Sequence, residues 1–95
     1  MKMVLGIVDA ARVEGLRRVL NDSKVPGYTE LPVVEGVGRT GIHAGDRVHP
    51  GALIAVFTIV DDEASRSLFE SLVRHREETG DGITRFFVLP VEREG

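Results

Sequence analysis

Met3 to Val8, "MVLGIV", is an uninterrupted apolar run closed by Asp9. A run that short with no polar alternation predicts a strand covered on both faces. Asp9 can then cap a helix in which Ala10, Val13, Leu16, Val19 and Leu20 recur at spacings of three and four, leaving Arg12, Arg17 and Arg18 for solvent. "NDSKVPG", Asn21 to Gly27, ends it. The next run, Tyr28 to Val37, is rich in strand formers but contains Pro32, which cannot donate to a ladder and so favours an edge position or a bulge. Ala52 to Val60 has Thr58 as its one polar residue and again reads as a strand buried on both sides. Asp61 or Asp62 can cap a second helix, with Glu63 suited to its positive end and Ala64, Leu68, Phe69, Leu72 and Val73 as the buried stripe, ending near Thr79. Ile83 to Val91 forms the last strand, with Pro90 near its end.

Strand, helix, strand, strand, helix, strand is the split βαβ order of a ferredoxin-like α+β sandwich: a four-stranded antiparallel sheet with two helices on one face. Residues 1–95 then form a single domain. In that architecture the helices cover one side only, yet the first and third strands are apolar on both. A second copy of the same chain is the economical cover, in a closed cyclic homo-oligomer.

Composition narrows the chemistry. The chain has a formal net charge of −3, which supplies no general attraction to nucleic acid or to an anionic membrane. It has no cysteine, so disulfides, thiolate metal sites and cysteine nucleophiles are excluded. The apolar run after Lys2 is too short for a signal peptide or a spanning helix, and a cytoplasmic protein is expected. No nucleophile sits beside an evident base, and no Gly-x-x-x-x-Gly-Lys phosphate loop is present, so an enzyme is not expected.

One stretch fits none of these elements. "VVEGVGRTGIHAGDRVHPG", Val33 to Gly51, lies between the second and third strands, and loops of that length in compact domains are usually functional or disordered. Its Gly36-Val37-Gly38-Arg39 turn allows close backbone approach to an anion and adds a guanidinium suited to a phosphate. "PGYT" before it, "GVGR" within it, "VDDE" at the second helix and "GDGITRFFV" at the last strand occur together and in order over nearly the whole chain. In these features the sequence resembles the PII signalling proteins, ferredoxin-like trimers that sense adenine nucleotides and nitrogen or carbon state.

The resemblance implies a homotrimer with an adenine nucleotide (AMP, ADP or ATP) between subunits. It also implies an effector loop at about residues 38–51 that acts on a partner protein such as a transporter or enzyme. Carried over by position, Gly36, Gly38, Arg39 and Thr40 lie beside the phosphates and Thr29 and Thr58 toward the adenine. Gly82 and Arg85 come from the turn before the last strand, which would close from the neighbour, and Arg93 is the basic residue near the C-terminus. Thr40 stands where the family usually has Gln, and the loop carries no tyrosine, so a tyrosine-modification switch cannot operate there. Tyr28, at a strand start, is expected to be packed. His43, Asp46 and His49 recur every third residue and form a candidate set for a divalent metal. The alternative reading is accordingly a metal-handling trimer of the cation-tolerance type. His75, Arg17, Arg18, Arg74 and Arg76 read as solvated helix positions.

Overall fold

The structure, a computed structural model, describes residues 1–33, 37–38, 41–42 and 53–95. Strand β1 spans Lys2–Asp9, a 3-10 turn Ala10–Arg12, helix α1 Val13–Asp22 and β2 Thr29–Pro32. Short strands β3 (Val37–Gly38) and β4 (Gly41–Ile42) come next, then β5 (Leu53–Val60), α2 (Asp62–Thr79) and β6 (Arg85–Pro90). The main sheet has the order β2-β5-β1-β6, antiparallel throughout, while β3 and β4 pair only with each other. This is the ferredoxin-like arrangement expected from the element order, with Pro32 on an edge strand.

Strand alternation sorts the side chains into two layers. Val4 and Val8 of β1 and Val56 and Val60 of β5 meet Val13, Leu16 and Leu20 of α1 and Leu68 and Leu72 of α2 in one buried core. Tyr28 packs against the edge of that core, as expected. Gly6 sits in the same layer because Phe86 needs its space: a Cβ there would lie 3.1 Å from the ring. Met3, Leu5 and Ile7 of β1 and Ala55, Phe57 and Ile59 of β5 point the other way, and no element among the described residues packs over them as the helices do over the core.

Several expectations need correction. Asp9 accepts a hydrogen bond from the Ala11 N–H, as a cap should, but the turn it starts is 3-10. Arg12, at φ −112° and ψ 2°, interrupts the backbone before α1 begins at Val13. The single second strand expected over Tyr28–Val37 is instead β2, ending at Pro32, with Val37 in the separate β3–β4 ladder. Asp61 does cap α2, accepting from Ala64 N–H at 2.7 Å, but Ala64 itself is exposed and Ser65 takes the buried position. Asp62 pairs with the N-terminal ammonium at 3.0 Å, which holds its carboxyl below the usual range. His75 is half-buried rather than on the surface, lying where a Cβ of Gly15 would be and so closing the α1–α2 contact.

Candidate functional site and family

The turn from α2 into β6 carries two of the expected binding residues, Gly82 and Arg85. Gly80 ends α2 in the left-handed region, φ 68°, and its N–H reaches the Glu77 carbonyl at 3.2 Å. Asp81 then organises the segment up to Thr84. Its Oδ1 accepts the N–H groups of Ile83 and Thr84 at 2.9 and 3.0 Å, and its Oδ2 accepts the Thr84 hydroxyl. Burial alone would push the Asp81 carboxyl up, but these hydrogen bonds and the Arg12 guanidinium outweigh it and hold the carboxyl below its ordinary value.

Thr84 is completely buried, and its hydroxyl oxygen also accepts the Asp9 N–H at 3.0 Å. Arg12 donates to the Thr79 carbonyl at 2.8 Å, so the end of β1 and the last residue of the 3-10 turn grip both sides of the segment. Arg85 donates to the carbonyls of Gly82 and Thr84 at 3.2 and 2.9 Å. Arg76 also reaches the Thr84 carbonyl, at 3.3 Å, with its guanidinium 5.8 Å from the Phe86 ring centre. It is therefore a packed residue and not a solvated one. Sequence reasoning misses the roles of Asp81 and Thr84, although the Asp-x-x-Thr spacing, a side-chain turn signature, is there to find.

The remaining expected residues fall elsewhere. Thr58 is 2% exposed in the helix-facing layer, where its hydroxyl donates to the Gly27 carbonyl and ties β5 to the loop before β2. Thr29 is exposed at the start of β2, opposite Phe57. Gly38 pairs with Gly41 in the β3–β4 ladder. Arg93 is exposed beyond β6. Gly36, Arg39 and Thr40, together with the metal candidates His43, Asp46 and His49, lie outside the described residues. Among the described residues no group of three His, Asp or Glu side chains could hold a metal.

The registers align the uncovered face in rows. Thr29, Phe57, Leu5 and Phe87 form one, and Leu31, Ala55, Ile7 and Arg85 the next. Thr29 and Arg85 therefore share a face but sit on opposite edges, β2 and β6, with two strands between them. At the β2 edge, Arg17 of α1 holds Glu30 at 2.7 Å on the helix side and also pairs with Glu14, which keeps its guanidinium firmly protonated. It too is engaged rather than merely solvated.

The pattern described as nitrogen regulatory protein P-II matches residues 1–94. The chain belongs to the P-II family. Members of this family are regulatory proteins. Among solved structures, it is similar to CPII, a nitrogen regulatory PII-like protein from Thiomonas intermedia K12 bound to ADP, AMP and bicarbonate. That match has 26% identity and a TM-score of 0.72, covering 97% of this chain and 88% of the other. A DUF3240 family protein from Shewanella baltica OS155 shares the P-II-like fold at 12% identity, with a TM-score of 0.77 over 99% of this chain and 92% of the other. A comparison with curated proteins finds no match. No helix among the described residues is long and apolar enough to cross a membrane.

Proposed function

We propose that this P-II protein is a cytoplasmic homotrimeric regulator that binds an adenine nucleotide between subunits and acts on a partner protein through the segment at 38–51. The observation that carries the reading is the apolar sheet face that no element among the described residues covers, with Leu31 and Phe87 about half exposed. That face gives neighbouring chains a reason to associate, and Gly82 and Arg85 lie at its β6 edge, where a second chain could complete a site. The similar CPII structure contains ADP and AMP, which supports the choice of nucleotide.

Calorimetric titration of the protein with AMP, ADP and ATP, each with and without bicarbonate, tests this. Binding of at least one nucleotide is expected. A lost charge-assisted contact costs about 1.5–3 kcal/mol, so Arg39→Ala and Arg85→Ala should each weaken binding by roughly ten- to a hundred-fold. No heat with any nucleotide at millimolar concentration would overturn the proposal.

A further inference from the structure

The turn Gly80–Arg85 would be expected to close over a ligand as a lid, but its hydrogen bonds describe something stiffer. The Thr84 hydroxyl has one proton and gives it to Asp81; its lone pair takes the Asp9 N–H. Neither neighbour can replace it, because an ionised carboxylate only accepts and a peptide N–H only donates. A group that does both at once must stand between them, in a place with no room for water at 0% exposure. The same Asp81 carboxylate holds the N–H groups of Ile83 and Thr84, so the position of the carboxylate sets the backbone of the turn.

From this geometry we infer that Thr84 is a positioning residue for the nucleotide site. By joining Asp81 to the end of β1 it holds Gly82 to Arg85 in ligand-ready form before any ligand arrives, and the turn serves as a fixed wall. The inference rests on the nucleotide reading above. Thr84 touches no ligand; it acts through Asp81 and the backbone. The side of the turn left free suits this role: a Cβ at Gly82 would meet nothing within 4 Å, so the backbone there is open to approach.

The test compares Thr84→Val, which keeps the shape and loses the hydroxyl, with Thr84→Ser, which keeps the hydroxyl and loses a methyl group. ADP titration, thermal melting and amide exchange are measured on the full chain. For affinity, Thr84→Val should weaken ADP binding about ten-fold while Thr84→Ser stays within about three-fold of the wild type. For melting, both variants should fall below the wild type, Thr84→Ser through a methyl-sized void and Thr84→Val through the unpaired Asp9 N–H and Asp81 carboxylate, so affinity and exchange, not melting, separate the two roles. Without ligand, exchange at Ile83 and Thr84 should be faster in Thr84→Val than in the wild type. Affinity that falls as much with Ser as with Val would overturn the inference, and so would unchanged exchange in Thr84→Val. A wild-type protein giving no heat with ADP would remove the nucleotide reading, and exchange alone would then decide whether Thr84 sets the turn.

Discussion

The two faces of the sheet are built from the same strands and differ only in what lies on them. On one, Val4, Val8, Val56 and Val60 are sealed beneath α1 and α2. On the other, Leu5, Ile7, Phe57 and Phe87 alternate with them along the same backbone, yet Phe87 keeps 49% of its surface exposed and Leu31 51%. An open apolar depression wraps the β6 edge, lined by Leu5, Phe87 and Leu89 on this face and by Phe69, Phe86 and Val88 on the helix side. A solvated sheet face normally carries polar residues at the alternate positions. The difference between the faces teaches that the first is the folding core and the second is an apolar surface that the folding of one chain leaves open, a division that mutations can separate.

The largest effect is expected in the core. Leu72→Ala removes a side chain packed against Leu68 and the β-valines and should cost about 2–5 kcal/mol in denaturant unfolding. A loss below about 1 kcal/mol would mean that the helix layer is not the core. Next comes the open face. Phe87→Glu sets a charge in the row Thr29, Phe57, Leu5, Phe87 and should reduce the mass seen by light scattering to that of a monomer while the helical circular dichroism persists. An unchanged oligomer would break the comparison, because this face would then take no part in assembly.

The smallest effect concerns the turn that joins the layers. The folded-state carboxyl of Asp81 lies below its ordinary value of about 3.9, so its contribution is present above that pH and is lost as pH falls through it toward the folded value. Asp81→Asn should therefore cost on the order of 1 kcal/mol near neutrality. The gap to the wild type should narrow as pH falls below the ordinary carboxylate value, in melts recorded across that range. A gap that is constant with pH would exclude the carboxylate as its source.

Strong, continuous signals carry most of this fold. β1, β5 and α2 are legible because apolar runs and an Asp61 cap specify them locally, and their order gives the fold class. The misread positions depend on competition between neighbours. Ile83 and Thr84 have strand-forming side chains, but the Asp81 carboxylate claims both N–H groups and delays β6 until Arg85. Arg76 reads as solvated because helical spacing says nothing of the Phe86 ring on another element. His75 is half-buried because residue 15 has no side chain to exclude it. Of the candidate site, the chemical types are readable, while the separation of Thr29 and Arg85 onto opposite edges requires the strand order.

That strand order also has a consequence of parity. With four strands alternating in direction, the outer two, β2 and β6, run in opposite senses. A copy generated by rotation about an axis along the strands keeps those senses, so its β6 meets the first copy's β2 head to tail. A fifth strand would reverse this and bring like directions together at every junction. An even sheet can thus be repeated around a ring with the up-and-down rhythm unbroken, whatever the number of copies.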